Sequence, residues 1–237
     1  MTLSAPIFQL KRRAKLMARD QKMPLHTTLD AIAREEGFAS WSLLSSHYMA
    51  LKEPEKALDR LHDGDMLLVA GRPGQGKTRF ALRLLVDALR DKRRAILFTL
   101  EFTEQQAWQH IRTISKGNSE VADTLQIMTS NAISADYIIQ HLTGVERRSV
   151  IVIDFLQILD QDRSKPPLSE QVLALAEFAR RTGAIVVFVS QIDRSFDPDA
   201  KRLPDINDIR LPNDIDLGLF TKTCFLHGNE MDFKKVA

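Results

Sequence analysis

The chain has 237 residues and a formal net charge of +2, with 44% hydrophobic and 27% charged residues. This balance is typical of a globular protein, and so small a net charge does not by itself indicate a nucleic-acid-binding protein. The sequence has no apolar run near the roughly 20 residues that cross a bilayer, no signal-peptide core, and one cysteine, Cys224. We therefore expect a cytoplasmic protein that has no disulfide framework and does not span a membrane.

The first part of the chain predicts a small helical module. Apolar residues recur at helical spacing over Ile7–Met17. Pro24 precedes a second predicted helix, which Gly37 ends. We divide the chain into this helical module, residues 1–55, and a larger domain, residues 56–237.

From residue 64 onward, short apolar runs alternate with helical patterns. Four runs lack polar alternation, which is typical of strands buried on both faces, namely Met66–Ala70, Ala95–Leu100, Val150–Ile153 and Ala184–Val189. Weaker strands are predicted at Leu125–Met128, Leu217–Phe220 and Cys224–Leu226. Helices are predicted at Thr78–Arg90, Glu104–Lys116, Ala135–Thr143 and Ser169–Thr182. The alternation predicts an α/β fold with a mostly parallel central sheet flanked by helices.

The strongest motif is GxxxxGK[ST], between the first strand and the helix that follows it. Its glycines let backbone N–H groups approach phosphate oxygens at a helix N-terminus, where the helix dipole favours anions. Lys77 is expected to reach the β- and γ-phosphates of ATP, and the Thr78 hydroxyl to bind Mg²⁺. We assign to the nucleotide Gly71, Arg72, Pro73, Gly74, Gln75, Gly76, Lys77, Thr78 and Arg79.

Three polar residues follow predicted strands at the edge where an open α/β sheet binds its ligand. Asp154 is the candidate metal ligand, although a plain turn aspartate is the alternative. Glu101 is the candidate for activating water, and it would point toward the γ-phosphate if its strand neighbours the strand before the phosphate loop. The alternative is a helix-initiating acid before Thr103. Gln191 is positioned for the γ-phosphate or the attacking water. The predicted catalytic residues are Lys77, Glu101 and Gln191, and the predicted metal ligands are Thr78 and Asp154.

Four segments, taken in order, resemble one family. They are Ala70–Thr78, Thr99–Glu101, Val152–Gln157 and Ser190–Arg194. Together they resemble the ATPase domain of the DnaB replicative helicases, within the RecA-like ATPases, over roughly residues 60–220. The resemblance implies ATP hydrolysis and a role in DNA replication. It also implies a homo-oligomeric ring that acts on single-stranded DNA, with a hexamer as one possible form. It makes Glu101 the catalytic base, Asp154 the Walker B acid and Gln191 the γ-phosphate sensor.

In that family, two loops line a central channel and contact single-stranded DNA. The matching segments here are residues 160–168 and 193–210. Their basic residues are Arg163, Lys165, Arg194, Lys201, Arg202 and Arg210. Such residues can pair with DNA phosphates, but five aspartates dilute the charge of the second loop, so a solvated surface loop is an equal alternative.

The sequence also departs from the family. A KxR finger pair, which in the family reaches the neighbouring subunit's ATP, is not seen after the last motif, and the family's terminal strands are expected to be absent. Slow hydrolysis would follow, because such a finger is worth roughly 10³-fold or more in rate. The amino-terminal module is unlike the family's larger helical domain, and its basic cluster is either a DNA contact or a solvated helix face.

Two functions therefore stay open: a DnaB-type ATPase, and a nucleotide-dependent interaction or regulatory protein with slow or no hydrolysis. A small-molecule kinase is a weaker third alternative, because residues 160–168 are short for a lid.

Overall fold

The computed structural model describes residues 3–5, 7–45, 57–115, 125–161, 165–197, 200–210, 213, 215–228 and 230–236. The chain divides into two compact units. One comprises Met1–Glu55 with Gly228–Glu230, and the other comprises Lys56–His227 with Met231–Ala237. Over the described residues, every helix is too short or too polar to serve as a membrane span.

The smaller unit is helical. Helix α1 spans Ile7–Asp20 and helix α2 spans Leu25–Glu35, after which residues 41–45 form a further helical stretch. Their apolar faces form small clusters that bury Ile7, Leu10, Ala14, Ile32, Ala33 and Leu44. The basic residues of α1 are exposed, as an amphipathic helix requires, namely Lys11, Arg12, Arg13, Lys15 and Arg19.

The larger unit is an α/β fold, as predicted. Its strands are β1 (Met66–Gly71), β2 (Ala95–Thr99), β3 (Leu125–Met128), β4 (Val150–Asp154), β5 (Ile185–Gln191), β6 (Lys222–His227) and β7 (Glu230–Lys235). Its helices are α3 (Lys77–Arg90), α4 (Glu104–Ser115), α5 (Ala135–His141) and α6 (Leu168–Thr182). Strands and helices alternate up to β5, because each apolar strand needs cover on both faces.

The sheet has the order β3-β2-β4-β5-β1-β6-β7, and every pairing from β3 to β6 is parallel. Two apolar cores cover its faces, one with α3 and α4 and the other with α5 and α6. The parallel arrangement brings the carboxyl ends of β1, β2, β4 and β5 to one edge, where the candidate site lies.

Two expectations about this unit are wrong, and a condition attached to Glu101 is not met. Leu217–Leu219 forms a 3₁₀ turn instead of a strand, because the Asp216 carboxylate accepts the Gly218 N–H at 2.8 Å and closes a turn. A terminal strand is present, since β7 forms one edge of the sheet. Finally, β2 does not neighbour β1, because β4 and β5 lie between them. Cys224 is buried within β6, and this burial raises the pKa of its thiol.

Candidate nucleotide site

The loop from β1 to α3 has the backbone of a phosphate cradle. Gly74 and Gly76 have φ values of +75° and +86°, which an L side chain rarely adopts. A methyl group at Gly71 would lie 2.6 Å from the backbone oxygen of Leu226, so only glycine fits beside β6. The chain enters α3 directly at Lys77, which leaves the first N–H groups of the helix without helical partners. An anion is the natural ligand of such a helix start.

Lys77 is the basic group of this cradle. Its ammonium is largely buried and donates a hydrogen bond to the backbone oxygen of Arg72 at 3.1 Å. Burial lowers the pKa of Lys77, and the nearby carboxylates of Asp154 and Glu101 oppose this shift. The lysine therefore lies between the loop and two acids, where a phosphate group would replace a backbone carbonyl as its partner.

Asp154 lies at the carboxyl end of β4 and is only 1% exposed. Burial raises its pKa to about 7, with a further contribution from the Glu101 charge, while Thr78 and Lys77 act in the opposite direction. Thr78 and Glu101 lie close to the carboxylate, yet neither Asp154 oxygen has a hydrogen-bond partner with good geometry among the described residues. A buried carboxylate without partners is costly, and a cation beside it would remove that cost.

Glu101 reaches this cluster without a strand next to β1. It follows β2, which pairs with β4 so that Thr99 lies opposite Asp154. The Glu101 N–H donates to the Thr99 hydroxyl oxygen at 3.0 Å, which fixes the chain as it leaves the strand. The side chain is exposed and lies close enough to Asp154 and Lys77 for their charges to interact.

Gln191 ends β5 and lies opposite Gly71 in the sheet register. The N–H of Ile192 donates to the Gly71 backbone oxygen at 3.4 Å, so the segment after β5 stays beside the phosphate loop. Gln191 is half-buried and, together with Pro73, lines a pocket of about 320 Å³.

Arg72 has a role that the motif alone does not predict. Its guanidinium donates to the backbone oxygens of Arg194 and Phe196 at 2.9 and 2.5 Å. It also lies over the Phe196 ring, 5.8 Å from the centroid. The phosphate loop is thereby fastened to the segment after β5. Two further residues assigned to the nucleotide, Gln75 in the loop and Arg79 in the first turn of α3, are half-buried.

The residues predicted to contact DNA have varied environments. Arg163 lies outside the described residues. The Lys165 ammonium donates to the backbone oxygens of Ile133, Ile158 and Asn131 at 2.8, 3.2 and 3.3 Å. Three such bonds tie it to the protein's own backbone.

The second loop is also internally bonded. Lys201 forms ion pairs with Asp205 and Asp208 at 2.6 and 2.7 Å. Asp205 and Asp208 cap the 3₁₀ turn between them. Arg202 lies in the same loop and is exposed. Arg194 and Arg210 differ, because both line the pocket beside Pro73 and Gln191.

No group of three or more His, Cys, Asp or Glu side chains in the described part of the chain is arranged to hold a metal by itself. Mg²⁺ does not require one, because it usually binds through one or two protein oxygens together with substrate phosphates and water. The unpartnered oxygens of Asp154 and the adjacent Thr78 hydroxyl match that donor set.

The fold and this site define a RecA-like P-loop ATPase domain. The family model described as "DnaB-like helicase C terminal domain" matches residues 44–137. Its match covers the cradle and Glu101 and ends before Asp154. This part of the chain is thus similar to the DnaB-like helicase C-terminal domain, and the resemblance seen in the sequence is confirmed.

Two curated relatives are replicative DNA helicases named DnaB. That of Buchnera aphidicola subsp. Acyrthosiphon pisum is 25% identical over 236 residues, covering 82% of this chain and 50% of the relative. That of Geobacillus stearothermophilus is 26% identical over 192 residues, covering 65% of this chain and 42% of the relative. The chain therefore spans about half the length of the curated relatives that it matches.

Solved structures support the fold. One of them, described as an ATPase domain, superposes with a TM-score of 0.59 at 19% identity, covering 78% of this chain and 82% of that one. A DnaB-like replicative helicase, described together with its interactions with primase, gives 0.58 at 17% identity, covering 93% and 65%. A KaiC-like protein of Pyrococcus horikoshii gives 0.52 at 15% identity, covering 71% and 76%.

Proposed function

We propose that the chain binds ATP with Mg²⁺ in the cradle Gly71–Thr78 and hydrolyses it, with single-stranded DNA raising the turnover. The observation that carries the proposal is Asp154, a buried carboxylate beside Lys77, Thr78 and Glu101 whose two oxygens have no hydrogen-bond partner among the described residues. An arrangement of this kind is costly in the empty protein, and a metal-bound triphosphate is the ligand that would complete it.

Each side chain has a distinct role in this proposal. Lys77 would exchange the Arg72 backbone oxygen for phosphate oxygens. Thr78 and Asp154 would hold Mg²⁺, which neutralises charge on the phosphates. Glu101 is exposed and so accessible to water, which it would orient or deprotonate for attack on the terminal phosphate. Gln191 would sense that phosphate from the end of β5.

DNA and oligomer formation belong to the same proposal. The curated relatives are named as replicative DNA helicases, which supports single-stranded DNA as the partner. A homo-oligomer, with a hexamer as one form, would place a neighbouring copy beside each nucleotide.

The test measures ATP turnover with and without a single-stranded oligonucleotide at several salt concentrations, together with oligomer size by light scattering with and without ATP. We expect turnover to rise with DNA and oligomers to form with ATP. Lys77→Ala should abolish turnover, because it removes the ammonium that lies between the loop and the two acids. Turnover that DNA leaves unchanged at every salt concentration would contradict the DNA part of the proposal.

A second function has its own supporting observation. Lys165 and Lys201, two of the residues predicted to contact DNA, are bonded to the protein itself, and Arg72 links the phosphate loop to the second loop. This arrangement favours a nucleotide-dependent interaction protein with slow or no hydrolysis, in which ATP changes the loop. ATP binding with turnover at background, with or without DNA, would favour this alternative over the first proposal.

A further inference from the structure

Three arginines share one pocket beside the phosphate loop. The pocket has a volume of about 320 Å³ and is lined by Arg72, Pro73, Gln191, Ile192, Arg194 and Arg210. None of these described lining residues is acidic. A pocket of this size is at the small end for ligand sites, and its lining suits a compact anionic group better than a whole nucleotide.

Backbone pairing fixes Arg210 at this pocket. Its N–H donates to the Gln191 backbone oxygen at 2.9 Å, and Ile192 and Ile209 form an antiparallel bridge. The Asp193 N–H extends the pairing with a bond of 2.6 Å to the backbone oxygen of Asp208. The far end of the second loop therefore returns to the end of β5, next to the phosphate loop.

Arg72 fixes the near end of the loop. Its two hydrogen bonds to the backbone oxygens of Arg194 and Phe196 hold that segment against the phosphate loop. Phe196 is 3% exposed and packs edge-on against the His227 ring, with centroids 5.2 Å apart. Arg194 is thus held near the cradle by its neighbours, while its own side chain is exposed.

The guanidinium groups of the two loop arginines are not held by the described residues. Neither guanidinium forms a hydrogen bond or ion pair with the described residues, in contrast to Lys201. Asp193 lies close enough to Arg210 for their charges to interact, but it does not line the pocket. Guanidinium groups that converge on one space bind phosphate well, because their planar donors match its oxygens.

We infer that Arg194 and Arg210 bind the terminal phosphate of the nucleotide, and that this pocket distinguishes a nucleoside triphosphate from a diphosphate. Pro73 belongs to the phosphate loop and Gln191 lies opposite Gly71, so the pocket that holds the two arginines adjoins the cradle. Arg72 is a positioning residue for them. The inference rests on the proposed nucleotide site, and it assigns these arginines to the nucleotide instead of to DNA.

The test compares the affinities for a non-hydrolysable ATP analogue and for ADP, each with Mg²⁺, by titration calorimetry. Arg194→Gln and Arg210→Gln should each weaken binding of the analogue roughly tenfold, because a charged hydrogen bond to phosphate is lost. ADP affinity should change by less than about twofold, since ADP lacks the group concerned. Arg180→Gln, an exposed arginine in the last turn of α6, is the matched control and should change neither affinity.

Each outcome has one meaning for the inference. An unchanged ratio of analogue to ADP affinity in both variants would overturn it, as would an unchanged ratio combined with weaker binding of a single-stranded oligonucleotide. If the wild-type chain binds neither nucleotide, the proposed function itself fails. If the wild type binds both nucleotides and the variants keep its ratio of analogue to ADP affinity, only the inference about the two arginines fails. Thermal melting without nucleotide should show that the variants fold as the wild type does, because both side chains are exposed.

Discussion

Charged side chains at the carboxyl edge of the sheet fall into two groups that differ in their partners. Asp154 is buried, and neither of its oxygens has a hydrogen-bond partner in the described part of the chain, whereas Lys165 and Lys201 each have several bonds to the protein itself. A buried group without partners costs free energy, so it persists where a ligand compensates. A group with its bonds already made has a structural role in the conformation observed. This difference separates the residues expected to bind a ligand from those that stabilise a loop.

The largest expected effect lies beside Asp154, at the exposed Glu101. Glu101→Gln should lower ATP turnover by roughly 10²- to 10⁴-fold, because an amide cannot accept the proton of the attacking water. Nucleotide affinity should be retained, since Glu101 is exposed and is not part of the cradle. Steady-state turnover and calorimetric binding measured on the same preparation check both statements.

Glu104→Gln is the matched control for this substitution. Glu104 is an exposed acid three positions further on, in the first turn of α4. It should keep wild-type turnover. Equal losses in both variants would mean that negative charge near α4, rather than a catalytic base, explains the result.

Asp154→Asn should stabilise the nucleotide-free protein at pH 8 while removing its response to Mg²⁺. The folded protein raises the Asp154 pKa from 3.8 to about 7. That shift corresponds to an upper limit of about 4 kcal/mol in the free energy of unfolding. Chemical denaturation of both proteins, with and without Mg²⁺ and ATP, measures the effect.

The pH dependence gives the sign of this effect. Between pH 4 and 7 the folded protein keeps a proton on Asp154 that the unfolded chain has released, so stability falls as the pH rises through this range. Asp154→Asn should flatten that decline, and Mg²⁺ affinity in the wild type should increase up to about pH 7 as the proton leaves. A wild-type stability that rises between pH 5 and 8 would contradict the assignment.

A smaller effect is expected at Arg72, which joins the phosphate loop to the segment after β5. Arg72→Ala removes both hydrogen bonds to the segment after β5 and should cost about 1–2 kcal/mol in stability. Hydrogen exchange of residues 194–210 should accelerate. Arg72→Lys keeps the charge but has a shorter side chain and lacks the planar guanidinium whose terminal nitrogen makes both bonds, so it should behave nearly as the alanine variant does. A lysine variant with wild-type exchange would show that charge alone holds the loop.

The fold is predictable from the sequence because its strands are buried on both faces, which leaves long apolar runs such as Ala95–Thr99. Strand order is less accessible, since nothing in the apolar run of β2 indicates that β4 and β5 separate it from β1. The apolar run at Leu217–Phe220 favours a strand, although the structure forms a 3₁₀ turn at Leu217–Leu219. Only Asp216 before it gives a local turn signal. The edge strand β7 lacks such a run, and its polar–apolar alternation is short, with Met231 and Phe233 as its only apolar residues.

The candidate site is predictable in part for a related reason. Lys77, Thr78 and Asp154 follow strands in a recognised pattern, and the parallel sheet brings them together. The contact from Arg72 to the second loop spans 122 positions to Arg194, which no local pattern encodes. Whether a basic loop residue has a partner within the protein depends on how the loop folds. The sequence alone therefore does not distinguish Lys201, which forms ion pairs, from Arg210, which lines the pocket.

The smallest expected effect tests the second group. Lys201→Gln should leave affinity for a single-stranded oligonucleotide, and its dependence on salt, unchanged, because Asp205 and Asp208 already bind this ammonium and raise its pKa. A lysine that neutralised a DNA phosphate would lower the slope of log affinity against log salt by about 0.7 when removed. Fluorescence anisotropy across a salt series resolves such a change. A slope reduced by that amount would show that the Lys201 ammonium exchanges its carboxylate partners for DNA phosphates. Existing bonds to the protein would then not distinguish residues that stabilise a loop from residues that bind a ligand.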